Sequence, residues 1–430
     1  MNQNLLNLAV KFYDAGWGLF LPVLRLSPRL KEGYAARRLE SSLPRADLWI
    51  QAASGGEAYL AWSIIRELTP GRPVRVFVTT NTRQGMDILE KAAAEISAGP
   101  SGITLLLGWC PFDKPKIMAK AVSQVNPKLV VLLETEIWPG LLHALKQRRR
   151  PAWIINGRIT EKSLSRYKKG RFFLDLLRPE GVLAVSEADA ARFAELFGKE
   201  TVSEMPNIKF DRLPAAQRPK NDPGLSRLIP PDGGFLVLGS VREQEEGQIE
   251  NLIRRIHDRQ PDAVIALFPR HMHRLGHWED TLSRMGAKWN FRSKLQSSAR
   301  AGQIILWDTF GELKDAYALA DAVFVGGSLA PLGGQNFLEP MVYGSRPVIG
   351  PFWDNFFWVG EAIFRQGLVL RENNWQAAAD RLLGELRNPP AREEIQKQAE
   401  QYIAARRGGT RRACRVIEDY LSRGFIRKAS

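Results

Sequence analysis

A group of small and polar residues in the second half of the chain has the spacing of a nucleotide-binding segment. It contains Gly326, Gly327, Ser328, Gly334, Asn336 and Glu339. Glycines let backbone N–H groups approach a phosphate, and a helix beginning near Asn336 would add a partial positive charge. Glu339, one turn into that helix, can accept hydrogen bonds from ribose hydroxyls. Asn336 and Glu339 also have the spacing of a capping box, but the glycines on both sides favour a nucleotide-sugar site.

A second acidic residue stands at a similar place in the first half, after the predicted strand 48–53. The sequence Ser54-Gly55-Gly56-Glu57 opens a predicted helix there, so Ser54 and Gly56 would contact a substrate and Glu57 would project from the helix start. A glycosyl transfer that inverts the anomeric carbon needs a base for the acceptor hydroxyl, and Glu57 is the candidate. The S-x-x-E spacing is also typical of a capping box, in which Glu57 would only stabilise the helix.

Charged side chains follow two further predicted strands of the first half. Glu134 and Glu136, together with Trp138, come after strand 129–133 and would shape an acceptor pocket or orient a base. Arg158 follows strand 153–155, where it can bind a substrate carboxylate or phosphate, or pair with a nearby acid.

Three segments of the second half also follow predicted strands and offer groups that bind phosphate. Ser240 follows strand 235–238, and its hydroxyl and backbone N–H can hold a phosphate. In Pro269-Arg270-His271, after strand 263–268, Arg270 is a natural phosphate ligand. The third segment would contact the base or phosphate and comprises Gly311, Glu312 and Leu313.

A metal site is the alternative for the histidines of this region. His271, His273 and His277 are closely spaced, but no cysteine or carboxylate completes a ligand set, and the chain has no Asp-x-Asp motif. We therefore predict neither a metal nor another cofactor.

Size and charge limit the classes of protein and of partner. The chain has 430 residues, a formal net charge of +15 and two cysteines, Cys110 and Cys414. This length predicts two domains, and two cysteines exclude a disulfide framework. The positive charge favours phosphorylated substrates and acidic lipids, whereas nucleic acid is not expected because no nucleic-acid-binding motif accompanies it.

The order of predicted elements indicates an α/β protein with two domains. Strand and helix segments alternate in each half, which is typical of a doubly wound parallel sheet. A proline-rich stretch from Pro206 to Pro231 separates the halves. We predict an N-terminal membrane-associated segment at 1–30, a first domain at 31–212 that binds the acceptor, and a second domain at 213–430 that binds the nucleotide sugar.

The N-terminal segment is apolar but too short to cross a bilayer. Its uninterrupted apolar piece, Ala15 to Leu24, falls short of the roughly 20 residues that a bilayer requires. It is either an interfacial anchor or an ordinary helix packed on the first domain. A basic run from Lys146 to Arg171 contains a single acid, Glu161, and predicts salt-sensitive binding to anionic lipid; the alternative is a solvated basic face.

Several motifs in one order give the chain a family resemblance. They are Ser54-Gly55-Gly56-Glu57, Glu134-Thr135-Glu136-Ile137-Trp138-Pro139, Asn156-Gly157-Arg158 with Ser163 and Tyr167, Pro269-Arg270-His271, Gly311-Glu312-Leu313, Gly326-Gly327-Ser328, and Gly334-Gln335-Asn336 with Glu339-Pro340. With them the chain resembles the 3-deoxy-D-manno-octulosonic acid (Kdo) transferase family as far as about Phe356.

This resemblance implies a fold, an activity and a location. The fold is GT-B, two Rossmann-like doubly wound domains that face each other across a cleft. The activity is transfer of Kdo from CMP-Kdo to a phosphorylated lipid A precursor in lipopolysaccharide core biosynthesis. It takes place at the cytoplasmic face of the cell inner membrane, with Glu57 as base and CMP bound by the second domain.

Three positions depart from the pattern of that family. Gln51, Arg242 and Gln335 stand where the family usually has histidine. Two alternatives therefore accompany Kdo transfer. One is a related transferase that uses another acidic sugar, and the other is a non-catalytic membrane protein that binds a nucleotide sugar.

Overall fold

The chain forms two compact units in a computed structural model. The structure describes residues 3–170, 174, 176–213, 223–230 and 234–422. Unit 1 comprises 1–212 and 406–430, and unit 2 comprises 213–405. Part of the proline-rich stretch, including Pro214, Pro219 and Pro231, lies outside the described residues, as does Arg171 of the basic run.

Unit 1 is built on a parallel sheet of seven strands in the order β3-β2-β1-β4-β5-β6-β7. The strands are β1 (Leu48–Ala52), β2 (Val74–Thr80), β3 (Ile103–Trp109), β4 (Leu129–Leu133), β5 (Ala152–Gly157), β6 (Gly181–Ala184) and β7 (Val202–Glu204). All five residues of β4 are buried, as expected for an apolar strand that helices cover on both faces.

Helices alternate with these strands. The longer ones are α1 (Gln3–Leu24), α2 (Gly55–Glu67), α3 (Arg83–Ser97), α4 (Pro115–Val125), α5 (Pro139–Gln147), α6 (Glu161–Lys168) and α7 (Glu187–Phe197). Single turns of helix lie at Pro28–Lys31, Tyr34–Arg37 and Ile208–Asp211.

Unit 2 has a second parallel sheet of seven strands, in the order β10-β11-β9-β8-β12-β13-β14. The strands are β8 (Phe235–Val241), β9 (Val264–Pro269), β10 (Trp289–Phe291), β11 (Ile304–Leu306), β12 (Ala322–Val325), β13 (Pro347–Ile349) and β14 (Leu370–Arg371). The longer helices are α8 (Glu246–Arg259), α9 (Leu275–Arg284), α10 (Leu313–Leu319), α11 (Trp375–Arg387) and α12 (Arg392–Ala404), and the shorter ones are Pro223–Ser226, Leu338–Val342 and Ala362–Arg365. The prediction of two doubly wound, Rossmann-like domains is thus confirmed.

The last helix, α13 (Gly409–Ser422), belongs to unit 1 and not to the predicted second domain 213–430. Its apolar side chains Ala413, Cys414 and Ile417 are buried in the unit 1 core. The helix is strongly amphipathic, so it buries one face wherever an apolar surface is available, and here α2 supplies that surface.

Both sheets reverse their strand order between two central strands, and the sequence-predicted site residues follow those strands. In unit 1 the reversal lies between β1 and β4, which precede Glu57 and Glu134. In unit 2 it lies between β8 and β12; Ser240 is the penultimate residue of β8, and Gly326 follows β12. Ligands of such sheets bind beyond the carboxyl ends of the strands at this switch point.

Candidate active site

Glu57 is buried at the first turn of α2 and is held by hydrogen bonds. The side chain is 7% exposed. The N–H of Ala53 donates to Glu57 Oε2 at 2.6 Å, and Ser54 Oγ donates to Glu57 Oε1 at 2.9 Å. Ser54 Oγ also accepts from the Glu57 N–H at 3.4 Å, so Ser54 caps the helix. The helix-capping interpretation is therefore correct for Ser54, and it also fixes the Glu57 carboxyl group in one orientation.

The environment of Glu57 gives this carboxyl group the proton affinity of a general base. Burial raises the pKa of Glu57 to about 8, and the negative charges of Glu136 and Glu134 add to the rise, while the bonds from Ala53 and Ser54 oppose it. A base is most effective when its pKa lies near the working pH. Such a shift, at the carboxyl end of a central strand, is typical of a catalytic group.

The two neighbouring glycines differ in what they contribute. A Cβ at Gly55 would lie 2.9 Å from the Gln84 side chain, so close packing explains that glycine. A Cβ at Gly56 would meet only Ser54 Oγ, at 3.7 Å, and Gly56 is exposed. The fold does not require a glycine at 56, which agrees with a position kept open for substrate.

Three residues at strand ends adopt the left-handed backbone conformation. They are Glu134 (φ 55°) after β4, Asn156 (φ 58°) within β5, and Ser240 (φ 57°) within β8. A residue other than glycine is strained in this conformation, at a cost of about 1–3 kcal/mol, and such strain concentrates at functional sites. All three lie in motifs that the sequence singled out.

Arg158 lies beside an acidic residue, as the alternative interpretation of the sequence expected. Its Nη1 is 3.8 Å from Glu134 Oε1, and Lys209 Nζ lies closer to the same oxygen, at 2.6 Å. Glu134 is thus held by two cations. The Arg158 side chain is still partly exposed, so it can contact a substrate as well. Lys209 was missed from the sequence because it is 75 residues from Glu134 in the chain.

In unit 2 the first turn of the glycine-rich segment does not present free N–H groups to a phosphate. The N–H groups of Gly327, Ser328 and Leu329 all donate to the carboxylate of Glu245, which is fully buried. Arg242 N–H donates to the same group at 2.9 Å. A carboxylate of the protein itself therefore fills the anion-binding turn that the glycines form.

Ser328 and Gly334 have structural roles, which corrects the prediction that they hold the donor phosphate. The Ser328 hydroxyl is buried, donates to Val325 O at 2.7 Å and accepts from the Gly350 N–H at 2.8 Å. The Gly334 N–H donates to Gly327 O at 2.8 Å. These polar groups are already satisfied within the loop.

Asn336 and Glu339 lie at the start of a helix that begins two residues later than predicted. The helix begins at Leu338, whose N–H donates to Asn336 Oδ1 at 3.3 Å. Glu339 does not complete a capping box with Asn336; its Oε1 lies 3.9 Å from Lys314 Nζ. Burial raises the pKa of Glu339, and the Lys314 charge lowers it. A partly exposed carboxyl group of this kind is suited to accept hydrogen bonds from hydroxyl groups.

A cluster of cationic side chains lies at the ends of β8 and β9, and we call Arg242, Arg270, His271 and His273 the basic cluster. Arg270 is exposed, while its N–H donates to Val241 O at 2.7 Å. Desolvation and the charges of Arg242, His273 and Arg270 lower the pKa of His271, so these cations lie close together. Arg242 Nε is buried and has no hydrogen-bond partner among the described residues. The sequence marked Arg242 only as a departure from a family pattern.

The third predicted segment of unit 2 is held by internal contacts. Glu312 accepts from Arg292 Nη2 and Trp307 Nε1, both at 2.9 Å, and from Thr309 Oγ1 at 2.7 Å. Its carboxylate therefore fixes the loop after β11. Contact of this segment with the base or phosphate stays a prediction. Leu313 begins α10, and Gly311 (φ 90°) makes the turn before it.

If the basic cluster binds the phosphate of a nucleotide, removing one guanidinium group should weaken binding of CMP. We expect Arg242→Gln and Arg270→Gln each to raise the Kd for CMP about 10- to 100-fold, since a hydrogen bond to a charged group contributes about 1.5–3 kcal/mol. Calorimetry measures this directly. Arg254→Gln is the control, because Arg254 lies on α8 and pairs with Glu250 at 2.8 Å. Unchanged affinity in both variants would contradict the assignment.

A comparison with solved structures assigns the fold of the two units before the family. A glycosyltransferase structure from Rickettsia africae ESF-5 matches with a TM-score of 0.55 at 12% identity, covering 88% of this chain and 99% of that one. Two sheets of seven parallel strands with such a neighbour define a GT-B fold, the architecture of glycosyltransferases that use nucleotide sugars.

Sequence comparisons define the family within this class. A family model described as 3-Deoxy-D-manno-octulosonic-acid transferase (kdotransferase) matches residues 25–212. The 3-deoxy-D-manno-octulosonic acid transferase of Bordetella pertussis is 30% identical over 418 residues, 94% of this chain and 92% of its own. That of Haemophilus influenzae is 28% identical and covers 93% of each chain. The chain belongs to the Kdo transferase family and is a glycosyltransferase.

Proposed function

We propose that this chain transfers Kdo from CMP-Kdo to a phosphorylated lipid A precursor and inverts the anomeric carbon. The observation that supports the mechanism most strongly is the buried Glu57, fixed by Ala53 and Ser54 and with a pKa of about 8. Unit 1 supplies this base and binds the acceptor, and unit 2 binds the donor.

The reaction follows from the groups that these residues carry. An acceptor hydroxyl oxygen attacks the anomeric carbon of Kdo, the bond from that carbon to the phosphate oxygen breaks, and CMP leaves with the electron pair. Glu57 takes the hydroxyl proton. Arg242, Arg270 and Ser240 bind the phosphate and stabilise the charge that develops on it, and Glu339 accepts hydrogen bonds from the ribose.

Mass spectrometry of the lipid product tests this function. We expect incubation with CMP-Kdo and a lipid A precursor to give an acceptor heavier by whole Kdo residues, with release of CMP. The alternative, transfer of another acidic sugar, predicts product only with a different CMP-linked acidic sugar. An unmodified acceptor with both donors would contradict the proposal.

The N-terminal helix supports attachment to the membrane surface. No helix in the described ranges, 3–170 and onward to 422, has the length and apolar character to span a bilayer. One side of α1 is tied to unit 1, because Tyr13 OH donates to the buried Asp113 at 2.9 Å. The other side is exposed and apolar, with Phe12 at 71% and Leu19 at 78% exposure. The helix therefore packs on the first domain, and its exposed apolar side supports the proposal that it is also an interfacial anchor.

The basic run divides into two groups, which lie at opposite ends of strand β5 in the unit 1 sheet. Arg148, Arg149 and Arg150 precede β5, whereas Arg158 and helix α6 follow it. The six residues of β5 separate the two groups by about 20 Å at ~3.3 Å per residue. The cations of α6 are the group that lies near α1, because Arg166 and Tyr13 line one groove.

We predict salt-sensitive binding to liposomes that contain anionic lipid. Reversing Arg166 and Lys169 to Glu should weaken binding at least about tenfold, since each cation near such a surface contributes roughly 1 kcal/mol. Replacing the exposed Leu19 by Glu should weaken it at every salt concentration. Sedimentation measures binding, and reversing both Arg254 and Arg381 to Glu in unit 2 is the control for total charge, because it changes the net charge by the same amount. Equal binding to neutral and anionic liposomes would contradict the electrostatic part.

A further inference from the structure

An apolar groove separates the N-terminal helix from the rest of unit 1. It has a volume of about 510 Å³. One wall is α1, with Ala9, Val10 and Tyr13, and the opposite wall comes from the start of α5 and from α6 with the segment after it. The lining of that wall is mainly apolar and includes Ile137, Pro139, Tyr167, Gly170 and Leu174.

The inner wall of the groove borders the carboxylate cluster of the candidate active site. The Tyr167 hydroxyl lies 3.5 Å from Thr135 O. Thr135 is in the loop that carries Glu134 and Glu136. Glu136 is near enough to raise the pKa of both Tyr167 and Glu57, in each case after the larger effect of burial. A molecule in the groove therefore lies beside the group that would deprotonate an acceptor.

The outer side of the groove is cationic and continues into the exposed face of α1. Arg166 lines the groove, is exposed and has no carboxylate partner among the described residues. Phe12 and Tyr13 line both the groove and a neighbouring recess that extends to Trp17 and Phe20. The groove is apolar, has a cation at its side and opens toward an apolar helix face. These features are complementary to the acyl chain of a phosphorylated lipid.

We propose that this groove binds an acyl chain of the phosphorylated glycolipid acceptor, with Arg166 contacting the acceptor phosphate. This proposal rests on the proposed function and adds how the acceptor is recognised: the chain in the groove holds the sugar hydroxyl beside Glu57. A second copy of the protein and a protein helix are the other possible occupants, and the test below separates them from a lipid.

Two substitutions fill the groove from opposite walls. Ala9→Trp acts from α1, and Gly170→Leu acts from the end of α6, where a Cβ would meet only Tyr167 O at 3.7 Å. Ala94→Trp is the matched control, because Ala94 is exposed on helix α3, does not line the groove and receives the same change as Ala9. We expect both filling variants to lower kcat/KM at least about tenfold for an acylated acceptor. With the same headgroup after deacylation they should stay within about twofold of the wild type, as should Ala94→Trp with both acceptors.

Binding of dodecyl phosphate provides a readout that does not need turnover. Wild type and Ala94→Trp should bind it, measured by calorimetry below its micelle concentration, and the two filling variants should not. If no acceptor is glycosylated but this pattern of binding holds, the proposed function fails and the groove assignment stands. Equal binding by all four proteins, or equal activity losses on acylated and deacylated acceptors, would overturn the groove assignment. So would a wild-type dimer, seen by light scattering, that both filling variants dissociate.

Discussion

Replacing Glu57 by Gln is expected to lower the rate of Kdo transfer by about 10²–10⁴-fold while CMP binding changes little. The amide cannot accept the acceptor proton, and loss of a general base typically has an effect of this size. CMP affinity should persist because the basic cluster belongs to unit 2 and Glu57 to unit 1. Steady-state release of CMP and calorimetry with CMP measure the two quantities. A variant that keeps near-normal turnover would make Glu57 a helix-capping residue only.

Stability separates the catalytic from the structural role of Glu57. Its folded-state pKa, about 8, is above the ordinary glutamate value of 4.5, so the folded protein retains a proton that the unfolded chain has lost. The wild type therefore loses stability as the pH rises from about 5 to about 8. Glu57→Gln lacks this loss, and its free energy of unfolding relative to wild type should increase over that range. Ser54→Ala should instead cost about 1 kcal/mol already near pH 5, as a lost helix cap does. The cost should grow as the pH rises, because the lost hydrogen bond to the Glu57 carboxyl group lowers its pKa in the wild type.

Replacing Glu245 by Gln is expected to be the most destabilising single polar change in unit 2. Its carboxylate accepts from four backbone N–H groups, of Arg242, Gly327, Ser328 and Leu329. An amide of the same size turns an N–H₂ group toward some of these donors, and each buried N–H left unpaired costs about 1–3 kcal/mol. We expect a loss of about 2–4 kcal/mol of stability.

Urea unfolding and amide hydrogen exchange measure this effect. Exchange at Gly327, Ser328 and Leu329 should accelerate in the variant, because their N–H groups lose their acceptor. Glu250→Gln is the control on the adjoining helix α8, since Glu250 pairs with Arg254 near the surface. An unchanged urea midpoint together with unchanged exchange at the three amides would show that Glu245 does not hold this loop.

The central strands could be predicted closely from the sequence, whereas several edge strands could not. Strand β4 (Leu129–Leu133) was predicted with its observed bounds because a strand buried on both faces is a continuous apolar run. Strand β3 (Ile103–Trp109) was missed, since it lies at the sheet edge and most of its residues are only partly buried. The three-residue strands β7 and β10 carry too little pattern to be recognised.

The predicted site residues fared differently in the two units. Ser54 and Glu57 make their hydrogen bonds to residues at most four positions away, so the local sequence was enough to predict the capped helix start. Ser328 was misassigned because its backbone N–H contacts Glu245, 83 residues away, and a local glycine motif does not reveal that the protein fills it. The packing of α13 on unit 1 is likewise a long-range contact. An amphipathic pattern alone does not show which unit a helix packs on.

The pH dependence of kcat/KM for Kdo transfer, in the wild type and in Glu136→Gln, tests the role of Glu57 most directly. If Glu57 is the base, we expect the wild-type rate to rise with pH to a plateau, with a midpoint near the Glu57 pKa of about 8. Removing the Glu136 charge removes one cause of that raised pKa, so the midpoint should move to lower pH. A midpoint that stays the same in Glu136→Gln, or a wild-type rate that does not change across this pH range, would contradict the assignment of Glu57 as the base.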